Sequence, residues 1–306
     1  MIKQNTTGKT LLHSRKFSKL VRLVRQLRNP LTITGFIIIG IMTFIAIFAP
    51  LLSPYSYDEV ANGIFLNPYS PPTLEHPLGT SLLGRDVLGR LIWGAQASLL
   101  LGLVTILISI ALGIVLGLLA AYIGGWVDNL IMRVGEISFT FPNMIITIVV
   151  VAVVGSDNPF RLFIILMIWG ILGSSGYARL LRSSALQEKG KMYVLAAKVS
   201  GASQFRIMFR HILPNSLTPI IIAASFNIGG VILGLAGLSF IGFGPTTMIE
   251  WGADVALNRA YLYSAPWTIL WPGIAIILTV LGFMLIGDGL RDALDPRNKN
   301  RKNNQK

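Results

Sequence analysis

Six long apolar runs, separated by shorter polar segments, dominate the pattern of the chain. They cover residues 31–52, 97–123, 137–154, 161–179, 218–243 and 267–287. A helix needs about 20 mostly apolar residues to cross the roughly 30 Å hydrocarbon layer of a bilayer. Each run is expected to be helical, because lipid offers backbone N–H and C=O groups no other partner. The pattern therefore predicts an all-α membrane protein with six transmembrane helices.

Composition supports this class and excludes others. Apolar residues make up 53% of the 306 residues and charged residues only 13%, about half the ~25% of soluble proteins. The mean hydropathy of +0.66 excludes disorder for most of the chain. So few charges could not cover the surface of a water-soluble enzyme. The absence of cysteine excludes disulfides, cysteine-bound zinc and iron–sulfur clusters.

Basic residues are unevenly distributed and indicate an orientation. Of the 26 Lys and Arg residues, 22 lie in segments 1–30, 124–136, 179–214 and 288–306. Loops on the cytoplasmic side of membrane proteins are enriched in Lys and Arg. The distribution predicts a multi-pass protein of the cytoplasmic (inner) membrane, with both termini and the 179–214 loop in the cytoplasm.

The segment 1–30 is basic and amphipathic. Its apolar residues at helical spacing are Phe17, Leu20, Val21, Val24 and Leu27. This spacing predicts an interfacial helix on the inner leaflet, with a disordered basic tail held by anionic lipid as the alternative. The apolar run that follows is too long for a cleaved signal peptide, so we expect a permanent anchor.

Glycines recur inside the spans. Gly113 and Gly117 form a small-xxx-small pair, which lets two membrane helices approach closely. The fifth span contains Gly229, Gly230, Gly234 and Gly237. We interpret these positions as packing sites, although the density in the fifth span also suits a helix that bends or slides.

The chain carries no recognisable catalytic motif. It has no G-x-x-x-x-G-K-[ST] phosphate loop and no H-E-x-x-H. Its histidines, His13, His76 and His211, fall on different predicted loops and cannot share a metal. The spans are almost free of charge, which disfavours a proton-driven transporter. We therefore expect no catalytic residue, and no cofactor or metal bound by this chain.

The segment GRDVLGR contains Arg85, Asp86 and Arg90, which leave two interpretations open. The three side chains could bind a solute. Alternatively, they form a structural ion pair at the start of a helix, which is the more frequent use of such a cluster.

The loop 179–214 is basic, amphipathic and long, and its pattern predicts helix, turn, helix. The first helix is expected from about Lys191 to Ser200. Gly201 can adopt the positive φ that ends it, and Ser203 can cap the second helix. Pro214 is expected to break that helix before the fifth span. Two features suit insertion into a groove of another protein. One is the face of small side chains at Ala196 and Ala197, and the other is the apolar ridge formed by Phe205, Met208 and Phe209.

At this loop the sequence resembles the inner-membrane permeases of ABC importers. Their signature is E-A-A, three residues, glycine, nine residues, then I-x-L-P, and the spacing here is the same. Leu195 stands where that family often has Glu, and His211 stands where it has Ile. By this resemblance the ATPase-coupling loop comprises Leu195, Ala196, Ala197, Gly201, Ala202, Ser203, His211, Leu213 and Pro214.

Three further segments are similar to the C-type permease subunits of dipeptide and oligopeptide importers, the peptide/nickel-type group. They are HPLGTSLLGRDVLGRLIWGAQASL at 76–99, GLSFIGFG at 237–244 and DGLRDALDPR at 288–297. The resemblance implies the type I ABC importer permease fold with an N-terminal interfacial helix. It divides the chain into a basic segment 1–30, a first span and extracytoplasmic loop 31–96, a core of five helices 97–290 with the coupling loop at about 191–214, and a basic cytoplasmic tail 291–306.

The resemblance also implies partners. These are a second, homologous permease subunit, two ATP-binding subunits that carry ATP and Mg, an extracytoplasmic solute-binding protein and membrane lipid, but no nucleic acid. The expected cargo is a di- or oligopeptide, with a nickel complex or other metallophore, or glutathione, as the alternative within the same class. A membrane enzyme, or a channel or scaffold without an ATPase, is the alternative of another class.

Overall fold

The computed structural model describes residues 29–62, 67–155, 158–245 and 248–294. Within these ranges the chain is helical and forms no β-strand, which confirms the predicted all-α class. The interfacial helix predicted in 1–30 and most of the basic tail lie outside the described residues.

Among the described residues, five helices are long and apolar enough to cross a bilayer. They are α1 Pro30–Ile47, α4 Val87–Ile123, α7 Arg161–Lys189, α11 Thr218–Phe240 and α13 Trp267–Leu294. Two further helices, α5 Gly125–Thr140 and α6 Asn143–Val154, form a bent pair that makes a sixth span when taken together. The short elements are α2 Ala49–Leu52, α3 Tyr57–Asn62, α8 Met192–Val199, α9 Gln204–Ile207, α10 Leu213–Ser216, α12 Trp251–Asn258, the 3₁₀ turns Leu82–Gly84 and Arg259–Tyr261, and the π turn Met208–Ile212.

The third span differs from the single helical run predicted over 137–154. Residues 124–136, predicted as a short loop, belong mostly to α5, and α5 and α6 meet at 81°. Phe141 is extended (φ −105°, ψ 130°) because Pro142 disfavours helical geometry in the residue before it. Gly124 and Gly125 have φ of +68° and +55°, and the chain reverses between α4 and α5 at this pair.

Two spans are longer than their apolar runs. Helix α4 begins at Val87 rather than at residue 97, and α7 ends at Lys189 rather than at 179. With 37 residues, α4 is about 55 Å long, well beyond the hydrocarbon thickness. Charged residues end an apolar run without ending a helix. Helices α4 and α7 therefore extend past the lipid, where their ends can contact the segments outside the membrane.

Helices α4 and α7 pack closely because small residues face each other. A Cβ added at Gly113 would lie 2.4 Å from the Tyr177 Cβ, and one at Gly117 would lie 2.6 Å from the Ala178 carbonyl oxygen. Both distances are shorter than van der Waals contact. The predicted packing role of Gly113 and Gly117 is therefore confirmed.

The glycines of α11 are not equivalent. A Cβ at Gly234 would meet the Trp169 ring at 2.3 Å, and one at Gly229 would meet Val280 of α13 at 3.2 Å. A Cβ at Gly230 would find no atom within 4 Å. Close packing thus explains Gly229 and Gly234 but not Gly230.

Large apolar side chains cover the outside of the bundle. Leu107, Val115 and Ile277 are 54%, 55% and 64% exposed, respectively. In a water-soluble protein such an exterior would aggregate, whereas lipid tails are as apolar as these side chains. The exterior therefore fits a protein that resides in a membrane.

We expect Gly117→Ala to destabilise the bundle, because the new Cβ would clash with backbone of α7. Overpacking of this kind typically costs about 1–3 kcal/mol. The matched substitution Gly230→Ala meets open space and should leave stability equal or slightly higher. The thermal unfolding midpoint of the purified protein measures both variants, and an unchanged midpoint for Gly117→Ala would contradict the proposed packing.

Candidate functional site

A compact hairpin, residues 192–212, follows the end of α7. Lys191 is extended (φ −80°, ψ 148°) and precedes the helix Met192–Val199. Gly201 then has φ +78°. The Ser203 side chain accepts a hydrogen bond from the Arg206 N–H and caps the second helical segment. The predicted helix, the turn at Gly201 and the cap at Ser203 are all confirmed.

The prediction for Pro214 is wrong in position. Residues 204–216 remain helical, and the helix is interrupted only at Leu217, before α11 begins at Thr218. The π turn Met208–Ile212 precedes the proline, and the Leu213 N–H bonds to the Met208 carbonyl five residues back. Pro214 then occupies the first turn of α10, where a missing N–H costs little.

One side of the hairpin is anchored on the ends of α4 and α7. The buried side chains of this contact are Ala121 of α4, Ala185 of α7, and Val194, Ile207 and Ile212 of the hairpin, with the half-buried Ala197 and Ala202 packed against them. Ala121 lies four residues beyond Gly117, on the same stripe of small residues that contacts α7. The hairpin is therefore a continuation of the α4–α7 contact.

The opposite side of the hairpin presents apolar side chains to its surroundings. Met192, Leu195 and Val199 follow helical spacing and are 80%, 45% and 89% exposed. Phe205 is 68% exposed, and its ring centroid lies 4.4 Å from that of Phe209. These five side chains are called the apolar face below. Because so large an exposed apolar patch marks an interaction site, the hairpin offers a docking surface.

A polar network fixes the hairpin to α7. The Glu188 carboxylate accepts hydrogen bonds from Lys191 Nζ and from the Tyr193 hydroxyl. Burial, together with the hydrogen bond and charge of Glu188, raises the pKa of Tyr193 to about 12. Tyr193 therefore stays protonated and keeps donating at physiological pH. A second contact fixes the hairpin to α4, where the Tyr122 hydroxyl donates a hydrogen bond to Gln204 Oε1.

The residues expected in the coupling loop take four different positions. Leu195, Ala196 and Pro214 are exposed. Ala197 and Ala202 instead face the buried contact, so Ala196 and Ala197 do not share one small, flat face as expected. Gly201 and Ser203 form the turn, and His211 and Leu213 are half-buried, with the His211 carbonyl accepting from Asn215 Nδ2 at 2.7 Å.

An ion pair holds the bent third span at the same end of the bundle. The Arg182 guanidinium of α7 donates two hydrogen bonds to the two carboxylate oxygens of Asp128 in α5. Two parallel bonds of this kind fix orientation as well as distance. Thus α7 connects the hairpin, α4 and α5.

At the opposite end, the cluster in GRDVLGR is divided between roles. The Asp86 carboxylate is fully buried, caps α4 by accepting from the Gly89 N–H at 2.6 Å, and lies 3.0 Å from His76 Nδ1. Arg90 pairs with the buried Asp254 of α12, with Nε 2.6 Å from Oδ1. The structural interpretation is confirmed for Asp86 and Arg90, while Arg85 makes no ion pair within the described residues.

No cluster of three or more His, Asp or Glu side chains that could hold a metal occurs within residues 29–62, 67–155, 158–245 and 248–294. At the end of the bundle opposite the hairpin, Asp86, Asp254 and Glu250 are instead engaged with histidine, arginine and backbone N–H groups, respectively.

Comparison with known proteins identifies close relatives over most of the chain. The family described as "Binding-protein-dependent transport system inner membrane component" matches residues 113–300. The family described as "N-terminal TM domain of oligopeptide transport permease C" matches residues 22–72.

Individual relatives agree with these matches. The dipeptide transport system permease protein DppC of Alkalihalophilus pseudofirmus is 42% identical, covering 89% of this chain and 88% of the relative. The probable D,D-dipeptide transport system permease protein DdpC of Escherichia coli is 38% identical, covering 92% and 91%. The glutathione transport system permease protein GsiD of Pectobacterium atrosepticum is 38% identical, covering 90% of each.

We expect Tyr193→Phe to loosen the hairpin, because the Glu188 carboxylate loses one of its two donors. A hydrogen bond to a charged group typically contributes about 1.5–3 kcal/mol, so amide exchange in Met192–Val199 should accelerate roughly ten-fold or more. Hydrogen exchange of the protein in lipid nanodiscs measures this rate. The control is Tyr263→Phe, at a fully exposed tyrosine; equal exchange in both variants would exclude the anchoring role.

Proposed function

The chain belongs to the family of inner membrane components of binding-protein-dependent transport systems, and on this basis we propose that it is the permease subunit of an ATP-driven peptide importer. It carries di- and oligopeptides across the cytoplasmic membrane. The observation that carries this proposal is the family match over the core of the bundle, together with relatives named as dipeptide permeases. The match of residues 22–72 to an oligopeptide permease domain supports the same cargo class.

The energy for transport comes from partner subunits. Two ATP-binding subunits bind ATP and Mg and hydrolyse the nucleotide, and this chain is the non-catalytic transmembrane subunit. A second, homologous permease completes the pathway, and an extracytoplasmic solute-binding protein delivers the cargo. The termini and the hairpin 192–212 lie on the cytoplasmic side, in agreement with the excess of Lys and Arg there.

The hairpin is the element that transmits the motion of the ATPase. Its apolar face fits a hydrophobic groove on an ATP-binding subunit, and its buried side is fixed to α4 and α7. Driving a two-state transporter from about 1:99 to 99:1 takes roughly 5.5 kcal/mol of differential binding. A loosely tethered loop could not transmit that energy, whereas the Glu188–Tyr193 network makes the hairpin an extension of α7.

Leu195, in place of the Glu of the family signature, fits this role. Its side chain is part of the exposed apolar face, so the contact with the ATPase at this position is hydrophobic. The polar anchoring that fixes the hairpin is supplied from Glu188 instead.

Glutathione is the second cargo supported by a specific observation, since relatives of 38–39% identity are named as glutathione permeases. Glutathione is itself a small peptide, so the architecture serves either cargo. The dipeptide assignment has the higher identity, at 42%. No relative reported above is named as a membrane enzyme or scaffold, and those alternatives are set aside.

We expect Val199→Asp to abolish docking, because an unpaired carboxylate would be buried in the apolar contact with the ATPase. Co-purification with the ATP-binding subunits should fall about ten-fold or more, and peptide uptake should fall with it. Gln187→Asp adds the same charge at an exposed polar position near the end of α7 and serves as the matched control.

Both variants should insert and accumulate equally, which immunoblotting of membranes establishes. Full uptake and normal ATPase recovery with Val199→Asp would refute the docking role of the hairpin. The cargo is tested separately: ATP hydrolysis by the reconstituted complex should be stimulated by binding protein loaded with dipeptide more than by binding protein offered glutathione. The reverse order would favour glutathione.

A further inference from the structure

A large cavity lies at the end of the bundle opposite the hairpin. Its volume is about 650 Å³, and its walls come from α3, the residues before α4, the end of α11 and α12. Three arginines, Arg85, Arg90 and Arg259, line it together with the Phe240–Gly242 turn. The Arg161 guanidinium supports this turn by donating to the Gly242 carbonyl at 3.1 Å, and Gly242 has φ +88°. The rim is therefore a fixed structure.

The two buried carboxylates beside this cavity, Asp254 and Glu250, have other hydrogen-bond partners and compensate its positive charge only in part. Asp254 is engaged by Arg90, which also faces the cavity. The Glu250 carboxylate accepts from the N–H groups of Gly252 and Ala253 at 3.1 Å each, and burial raises its pKa. Neither carboxylate forms an ion pair with Arg85 in the described part of the chain.

One N–H group of the Arg85 guanidinium lacks the hydrogen-bond acceptor that a buried N–H group normally has. Its Nε is buried without a hydrogen-bond partner within the described residues. Burial, and then the neighbouring charge of Arg90, lower its pKa, although an arginine remains charged at physiological pH. The side chain as a whole is half-buried, but a charged group with a buried N–H that finds no acceptor is unfavourable, so an anion in the cavity would stabilise it.

Arg259 provides a second donor group at the same cavity. Its guanidinium lies 5.6 Å from the centroid of the Phe240 ring and donates to the neutral Phe240 carbonyl at 3.2 Å, its one hydrogen bond within the described residues. The ring contact holds the guanidinium beside the cavity, and the charge has no carboxylate partner in the part of the chain that the structure describes. The planar guanidinium matches the two oxygens of a carboxylate.

We propose that this cavity is a binding site for the terminal carboxylate of the peptide cargo, with Arg85 and Arg259 as its cationic ligands. The inference rests on the proposed function, because the outer end is where cargo leaves the solute-binding protein. It adds a selection step within the permease itself: a peptide with a free carboxyl terminus is retained at the entrance, while an uncharged solute of the same size is not.

The test uses the complete transporter in lipid nanodiscs, without binding protein, and two probes that differ only in charge. We expect the wild-type complex to bind dialanine about ten-fold more tightly than dialanine amide, as for a hydrogen bond to a charged group. Arg85→Gln and Arg259→Gln should each remove this preference by weakening dialanine binding alone. Arg85→Lys keeps the charge and should retain part of the preference. The matched control is Arg133→Gln, an exposed arginine on α5 whose partner is Glu136.

Equal binding of the two probes by the wild-type complex would overturn the proposal, and so would a preference that survives in Arg85→Gln. Recovery of the ATP-binding subunits with each variant establishes that the complex is assembled. An acidic side chain of the binding protein could supply a carboxylate to Arg85 in place of the peptide terminus. If Arg85→Gln weakens docking of empty binding protein and leaves the dialanine preference intact, the arginine serves docking and the proposal is wrong.

The proposed function and this inference fail in different experiments. A complex that transports no peptide with its binding protein present would refute the proposed function. A complex that transports peptide normally but does not distinguish dialanine from its amide would refute only the carboxylate site.

Discussion

The close contact between α4 and α7 is the interaction on which the other features depend. Gly113 and Gly117 allow the two backbones to approach, and Ala121 continues the same stripe into the cluster that holds the hairpin. In lipid no hydrophobic effect drives helices together, so van der Waals packing of small residues supplies much of the attraction. A displacement of α7 relative to α4 would therefore move the hairpin as well. This coupling of packing and position is what a mechanical link requires.

The two ends of the bundle have different chemistry. At the hairpin end, charge is used for anchoring, in the Asp128–Arg182 and Glu188–Tyr193 contacts, while the hairpin exposes the apolar face. At the other end, Arg90 and Asp254 hold α12 against α4, and Arg85 is left facing a cavity. An apolar surface suits a protein groove, and a cationic cavity suits a charged small molecule. In the proposed function, the ATP-binding subunits dock at the hairpin end and the cargo enters at the end with the cavity.

Much of the fold follows from the sequence alone, because spans and turns are local properties. Apolar runs placed six spans, Gly201 predicted the turn with positive φ, and Ser203 predicted the cap. The errors arise where distant contacts decide. Arg90 lies inside α4, in the part that precedes the apolar run, where its charge is paired with Asp254, far along the chain.

The site was accessible to sequence reasoning only in part, for the same reason. The spacing around Gly201 located the hairpin, but Tyr193 and Glu188 gave no signal, since their hydrogen bond depends on how the hairpin folds back on α7. The predicted helix break at Pro214 is wrong because the π turn before it cannot be inferred from residue types. A tyrosine two residues after a Glu-x-x-Lys segment, at a helix end, is the one local feature that could have suggested the anchor.

The central claim is that the ATP-binding subunits bind the hairpin in the cytoplasm. Labelling of a single cysteine, introduced by Val199→Cys, tests it most directly. The chain has no natural cysteine, so a membrane-impermeant maleimide reports this position alone. The account predicts labelling in inside-out vesicles stripped of ATPase, protection when the ATP-binding subunits are added back, and no labelling in intact cells. Labelling in intact cells, or no protection by the ATP-binding subunits, would contradict it.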